Sequence, residues 1–492
     1  MARDLLLEIG AEEIPASFIV PALEDLKRVL TERMADARLK HGEVRTFGTP
    51  RRLAVWVRDV ADAGEDVTKE VLGPSAKAAF DAQGKATKAA EKFAESLKLS
   101  VDALGRTTTP KGEYVSARVE EKGRPADAIL QDALHTAVHG INFKKSMRWG
   151  DVDTSFARPV QWLVALLGDT ELPVVFGDVK SGRTTYGHRF LSPGPITLKT
   201  PADYEATLEK AHVLADIGKR RASLVQKVTA AAKASGGQLL EDEGLVDQVT
   251  NLVELPSPVV GRFDERHLDL PPEVLVQEMK SHQRYFSLVD AQGKLLPRFI
   301  AVSNTPVRDE QLSLRGYERV LRARLADGRF FFDEDRKTPL GDRVEKLGRV
   351  VWQNQLGTYL EKVERFRSLA GWLAQATGRA GEAATVERAA TLSKADLVTG
   401  MVGEFPELQG VMGREYASRR RTRARSSAWR TGWTRCAASS PSARPRRARR
   451  IRSRCAGRAW PSSASCWGGA TASACRPRWM RPWACWRRSS RT

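Results

Sequence analysis

The chain has 492 residues, with 80 Lys or Arg against 60 Asp or Glu, for a net charge of +20. That charge is confined to one end: residues 418–492 hold 21 Arg and no Lys, Asp or Glu, and taking 21 from 80 leaves 59 basic against 60 acidic residues in positions 1–417. All five cysteines also lie after Ala417, so the near-neutral body is excluded from being a disulfide scaffold or a thiolate metal site.

In chain order, residues 4–10 read as a short buried strand. The opening Met1-Ala2-Arg3-Asp4 lacks the apolar core of a signal peptide. Pro15 starts a helix that places Leu23, Leu26, Leu30 and Met34 on one face. Thr49-Pro50 is a turn, and the alternation of Leu53, Val55 and Val57 predicts a strand after it. Residues 86–98 are helical in pattern, 114–119 alternate as a strand, and 125–139 form a helix. Two apolar runs between Phe156 and Val175 flank Gly168-Asp169 and predict a strand or helix pair around a turn.

Residues 203–253 are helical in pattern, broken at Ser235-Gly236-Gly237, and Pro271-Pro272 opens a helix that ends near His282. Phe286 to Ser303 reads as a hairpin turning at Asp290-Ala291-Gln292-Gly293-Lys294. The same pentapeptide stands at residues 81–85, with different flanks, as shared turn chemistry. From 307 to 416 the pattern is almost entirely helical, punctuated by Pro339, Gly378 and Pro406. The expected fold class is therefore α+β and multidomain. A mixed α+β region over 1–306, with more than one domain, precedes an all-helical region over 307–417. No stretch approaches the roughly 20 apolar residues that span a bilayer, so no membrane partner is expected.

The last segment follows other rules. It interleaves Arg with Ala, Ser, Trp, Cys, Pro and Gly, has no countable period, and spaces its cysteines without the C-x-x-C pairs of a zinc site. The simplest account is a reading-frame error in a GC-rich gene that begins near Ala417, and residues 418–492 are expected to be a disordered tail without a native fold. The rival account is a non-catalytic RNA-binding protein acting through its basic tail.

The body lacks the usual catalytic signatures, with no G-x-x-x-x-G-K-[ST] loop and no H-E-x-x-H. His135 and His139 share a predicted helix face without a third ligand and read as ordinary surface or half-buried histidines. Asp333-Glu334-Asp335 reads as a solvated acidic cluster. No catalytic residue and no metal ligand is assigned. A metal-dependent phosphohydrolase in the helical region needs a His-Asp dipeptide, and no histidine lies after His282. More informative are cations beside rings or turns: Thr49-Pro50-Arg51-Arg52, Met147-Arg148-Trp149-Gly150, Gly187-His188-Arg189-Phe190 and Lys280 to Phe286. Such clusters hold phosphates while a ring stacks on an unpaired base.

The residues 7–15 (LEIGAEEIP) resemble the opening of the bacterial glycyl-tRNA synthetase beta subunit family. The likeness continues in order through Thr49 to Ala54, Met147 to Gly150, Phe156 to Val160, Gly187 to Phe190, Asn251 to Glu254, Gly293 to Phe299, Arg324 to Asp327 with Phe330 to Phe332, Gln355 to Thr358, and Ser393 to Gly413. Ala11 replaces the family's usual Thr. Gly328 replaces an Ala inside a helix, where glycine costs about 1 kcal/mol.

The resemblance implies a subunit of an aminoacyl-tRNA synthetase, a ligase of protein biosynthesis. Its active site lies mostly on an alpha subunit, which uses ATP and Mg2+. This chain binds no cofactor of its own and grips tRNA-Gly. The expected partners are the alpha subunit, tRNA-Gly and a second beta subunit within an alpha2beta2 tetramer in the cytoplasm. It also implies that 307–417 is an HD-like region, incomplete here, and that the family's anticodon-binding domain is missing. Arg51, Arg52, Arg189 and Arg284, within the matched motifs and next to turns or rings, are the tRNA-contact candidates.

Overall fold

The computed structural model describes residues 2–81, 85–97, 99–110 and 112–418. The tail expected to lack a fold lies outside them from residue 419 onward, as does the middle of the 81–85 turn.

The opening segment Arg3–Ala11 is an inner strand of a seven-stranded sheet. It pairs antiparallel with Arg52–Val60 on one side and with Val160–Leu167 on the other. Val44–Thr49 extends the first side, and Val179–Gly182 followed by Val175–Phe176 extends the second. Both faces of the strand are covered, which is why it reads as a continuous apolar run and not as an alternation. Leu5, Leu7 and Ile9 enter one core with Leu23, Leu26, Leu30 and Met34 of helix Ala16–Asp36 and with the apolar face of helix Ala126–His139. Leu6 points the opposite way, into a core with Trp56, Trp162, Tyr204 and Leu208. Each fully buried leucine contributes about 1.5–3 kcal/mol. The Phe156–Val175 pattern resolves as strand, tight turn and return strand, Val160–Leu167 with Thr170–Glu171.

Gly10 allows this second face to close. It pairs with Trp162 in register, and a Cβ on Gly10 would lie 1.9 Å from the indole. The indole rests on bare backbone, and its Nε1 donates to Glu8 Oε1 at 3.1 Å.

Among the described residues the α+β part also holds a two-stranded ribbon, Thr184–Tyr186 with Pro195–Thr197, and two larger sheets. Val67–Ser75, Gly112–Glu121 and Gly105–Thr109 form a three-stranded antiparallel sheet carrying helix Lys88–Ser96. The middle strand is legible in the sequence, but its partners are not, because their outward Lys, Glu and Thr residues hide the period. Farther on, Gln238–Leu239, Phe286–Val289, Leu295–Ser303 and Ser257–Arg262 pair in that order. Helices Ile217–Ala234 and Glu243–Thr250 cover one face through Leu224, Val228, Val246 and Val249. On the other face Tyr285, Phe299 and Ala301 share a core with Leu321, Leu325 and Phe332 of helix Glu310–Lys337 and with Met401 and Phe405. One apolar core thus joins residues on both sides of residue 306.

The region after 307 is not all helix. A small hairpin, Val351–Gln353 with Gly357–Thr358, precedes helix Tyr359–Ala376, because positive φ at Gly357 turns the chain back. Thr358 caps that helix in a reciprocal capping box with Glu361. Val351, Trp352, Leu356, Phe366, Leu369, Trp372 and Leu373 are all exposed along this hairpin and helix. Among the described residues no helix is long and apolar enough to cross a membrane.

Gly328 also has a packing role. A Cβ there would come within 2.6 Å of Glu278 Oε1, so the glycine makes room for a buried carboxyl. Burial pushes Glu278 up to about 8; Arg324 opposes the shift, and Asp327 and Glu404 add to it.

Two outcomes follow from this packing. Gly10→Ala drives a methyl into Trp162 and should cost about 1–3 kcal/mol, read as a lower urea midpoint; an unchanged midpoint would show that the indole can lift off. The folded-state value of Glu278 is raised, so its fold preference is satisfied below pH 4.5 and lost as pH rises toward 8. Glu278→Gln should therefore be near neutral at acid pH and stabilising at pH 8; paired unfolding curves at the two ends of that window test the sign.

Candidate nucleic-acid interface

Between the first sheet and the segments packed on its second face lies a buried polar centre built on Arg52, which has no exposed surface. Its Nη1 donates to Tyr186 O at 2.9 Å and to Glu8 Oε1 at 3.4 Å. Its Nη2 donates to Glu254 Oε1 at 3.1 Å, and its Nε to Thr49 Oγ1 at 3.2 Å. Thr49 Oγ1 donates in turn to Glu254 Oε1 at 2.8 Å and accepts the Arg51 backbone N–H at 3.1 Å. Glu8 Oε1 further accepts from Trp162 Nε1 and from Thr185 Oγ1. Residues 8, 49–52, 185–186 and 254 are thereby tied to one guanidinium.

Two carboxylates share this cation, and their environments differ. Burial pushes Glu8 above the usual carboxylate range, with the Arg52 charge pulling against it. At Glu254 burial works in the same direction, but the charge of Arg52, the Thr49 hydroxyl and the charge of Arg51 together hold it below the usual range. As pH falls Glu8 takes up a proton before Glu254, which stays the ionised partner of Arg52 for longer. Glu8 Oε2, Glu254 Oε2 and Tyr204 Oη are buried without a hydrogen-bond partner among the described residues.

The same centre shapes two surface loops. Glu254 N–H and Leu255 N–H both donate to Asn304 Oδ1. Asn304 O accepts from His188 Nε2 at 2.9 Å, and His188 Nδ1 accepts the N–H groups of Phe190 and Leu191. These contacts put the imidazole proton on Nε2 and use the buried His188 as a post for the loop. Phe190 stands on that loop, 72% exposed. Arg220, also fully buried, fastens the neighbouring segments by donating to Thr250 O and Gly48 O at 2.7 and 2.6 Å. Burial lowers it to about 10.

The four arginines singled out in the sequence fall in different settings. Arg52 is the buried centre just described. Arg51 is half-buried, with its guanidinium 5.5 Å from the Trp162 ring and its Nε and Nη1 without hydrogen-bond partners among the described residues. Burial lowers its affinity for the proton, and Glu254 opposes that. Arg189 is about one-third exposed and pairs with Glu12 and Glu13 at 2.5 and 3.0 Å. Arg284, with φ of 59°, follows the wide turn Met279–Gln283, and its Nη1 donates to Lys280 O at 2.8 Å. It borders a cleft of about 590 Å³ with Leu252, Tyr285, Tyr317 and Val320. Arg51, Arg52 and Arg189 belong to one neighbourhood, and Arg284 to another.

The remaining sequence candidates are placed as follows. His135 and His139 stack on each other at 4.2 Å on the outer face of helix Ala126–His139. The Asp333–Asp335 cluster is only partly solvated, which corrects the sequence reading. Asp335 is buried and accepts the N–H groups of Gly400 and Met401 at 2.8 and 2.9 Å and the Tyr416 hydroxyl at 3.1 Å. It holds the first two amides of helix Gly400–Glu404, beside the N-cap Thr399, whose hydroxyl accepts the Val402 N–H. Among the described residues no group of three or more His, Cys, Asp or Glu could hold a metal ion.

The sequence reading missed Glu8 and Glu254. Each is a single acid inside an otherwise apolar run, LLLEIG and LVELP, and a lone charge in a buried segment requires a buried partner. That signal was present; which cation answered it was not.

A model of the family described as "Glycyl-tRNA synthetase beta subunit" matches residues 5–428. The glycine–tRNA ligase beta subunit of Myxococcus xanthus (strain DK1622) is 86% identical over 417 residues, which cover 85% of this chain and 59% of that protein. The corresponding protein of Anaeromyxobacter dehalogenans (strain 2CP-C) is 54% identical over 415 residues, covering 84% and 59%. That of Geobacter sulfurreducens is 49% identical over 417 residues, covering 85% and 61%. The chain thus spans about three-fifths of the length of these curated relatives.

The buried centre sets a stability prediction. Arg52→Met leaves two carboxylates facing each other and should cost about 3–5 kcal/mol at neutral pH. Glu254 is held low, so its contribution is present at neutral pH and lost as pH falls through its folded value. Glu8 is raised, so its ionised form gains little from the fold above the normal range. Glu254→Gln should accordingly cost more than Glu8→Gln at pH 7, with the gap closing in acid; equal costs at pH 7 would reverse the assignment.

Proposed function

The chain belongs to the glycyl-tRNA synthetase beta subunit family, and on that premise we propose that it serves as a subunit of glycine–tRNA ligase. The observation that carries the reading is the family match across residues 5–428 together with 86% identity to a curated relative over 417 residues. In this reading the alpha subunit activates glycine with ATP and Mg2+ and transfers it to tRNA-Gly. The beta chain supplies grip and orientation in a cytoplasmic alpha2beta2 assembly. Glycine offers no side chain for a pocket to read, so tRNA recognition must carry much of the enzyme's selectivity.

Within the chain, 1–306 is proposed as the α+β region and 307–417 as a mostly helical, HD-like region. Asp396 suits a structural role in it, accepting the N–H groups of Gly410 and Gly413 at 2.5 and 3.2 Å. Arg51, Arg189 and Arg284 are proposed as direct tRNA contacts, supported by their partial exposure beside Phe190 or the cleft. Arg52 is proposed to act through the turn it anchors, since its own hydrogen bonds are committed inward.

The test is glycyl-tRNA synthesis by the alpha subunit with and without this chain. Charging should require both. Replacing Arg51, Arg189 or Arg284 by Ala should raise the KM for tRNA-Gly by about tenfold, the loss of a charge-assisted hydrogen bond. No dependence on the chain rejects the reading. RNA binding that vanishes when residues 418–492 are removed, without preference for tRNA-Gly, favours the basic-tail alternative.

A further inference from the structure

Helix Glu310–Lys337 carries its charges in two different ways. In its second half the cations are matched at helical spacing: Arg329 with Asp333 at 2.8 Å, Arg336 with Asp333 at 3.6 Å, and Lys337 with Glu334. In its first half Arg315, Arg319 and Arg322 are exposed and form no ion pair or side-chain hydrogen bond among the described residues. Their spacing of four and three places them on one face, about 6 and 4.5 Å apart along the axis. Like charges at these spacings destabilise a helix. The nearby Glu318 does not relieve them, because its carboxylate accepts the Arg262 N–H at 3.0 Å. Some other helix arginines do have partners: Arg28 has Asp25 and Glu32, and Arg221 has Asp247 and Glu243.

A different side of the helix is anchored in the core by Leu321, Leu325, Gly328 and Phe332, so the three arginines stand on a face turned away from that packing. A row of unpaired cations at near-regular intervals is complementary to a row of phosphates. Arginine suits it further through its planar fork, which binds phosphate oxygens in pairs. We propose that Arg315, Arg319 and Arg322 form a phosphate-backbone contact surface for tRNA, separate from the motif arginines of the N-terminal sheet. The proposal deepens the tRNA-ligase reading and rests on it. It requires no base contact, so it should strengthen RNA binding without selecting sequence.

The experiment is tRNA-Gly binding by the full chain with the alpha subunit, titrated across about 50–200 mM salt. Wild type is compared with Arg315→Gln/Arg319→Gln/Arg322→Gln, with the corresponding triple Lys variant and with Arg221→Gln. The Gln triple should lower the slope of log affinity on log salt by about 2–3, close to one per contact, and weaken binding at least about tenfold. The Lys triple should keep most of the slope, and Arg221→Gln should match wild type. Circular dichroism of the Gln triple guards against misfolding, and Arg319→Glu alone replaces it if it fails to fold. A Gln triple with the wild-type slope overturns the proposal while leaving tRNA binding by the chain intact. Normal tRNA binding with lost assembly onto alpha also overturns it, in favour of an acidic protein partner. If wild type shows no preference for tRNA-Gly, the tRNA-ligase reading itself fails.

Discussion

The architecture of the first 300 residues depends on one buried guanidinium. Arg52 joins a strand, a turn, the segment before the exposed Phe190 loop and the residue 254 loop, elements up to about 200 residues apart in the chain. Taking such a charge out of water is costly, and only close carboxylates and a full set of acceptors make it tolerable. The cost also brings specificity. An apolar core accepts many arrangements, whereas Arg52 is satisfied only when Glu8, Glu254, Thr49 and the Tyr186 carbonyl converge. His188 and Asn304 extend that network to the loop bearing Arg189 and Phe190. Geometry at the surface therefore depends on charge pairing in the interior.

The sheet that carries this centre works because its middle strand is two-faced. Leu5, Leu7 and Ile9 anchor helices on one side, while Leu6, Glu8 and Gly10 share the other with Trp162 and Tyr204. Glycine at position 10 lets an indole lie against backbone, and that brings its N–H within reach of Glu8. Small and large residues are here parts of one device. Gly328 repeats the arrangement in the helical part, where the missing side chain leaves room for the Glu278 carboxyl. A helix-propensity argument counts that glycine only as a cost, because the benefit lies on a different element.

Charge is organised on two scales. The net +20 belongs to the last 75 residues and says nothing about the body, which is close to neutral. Within the body, what matters is which cations lack partners. Some arginines on its helices sit beside acids, as Arg28 and Arg329 do, but the three on one face of the first half of helix Glu310–Lys337 do not. Meanwhile the exposed apolar side chains of Val351 to Leu373 mark a second surface of different chemistry on the neighbouring hairpin and helix.

The sequence by itself determined the elements with strong periods. Helix Ala16–Asp36, strand Arg52–Val60, helix Ala126–His139 and the hairpin Phe286–Ser303 all follow from spacing and turn residues, which are local properties. Collinear motifs likewise carried the family. Weakly patterned strands such as Val67–Ser75 and Gly105–Thr109 were hidden, because pairing alone makes them strands. The hairpin at Val351–Thr358 was hidden within a helical stretch for the same reason. At the candidate site the sequence supplied the right arginines but not their settings. Arg51 and Arg52 are adjacent in the chain, yet one is half-exposed and the other wholly buried. Only the tertiary structure decided that, because burial and charge pairing are set by residues far away in sequence, and Arg51 stands on the turn while Arg52 opens the strand.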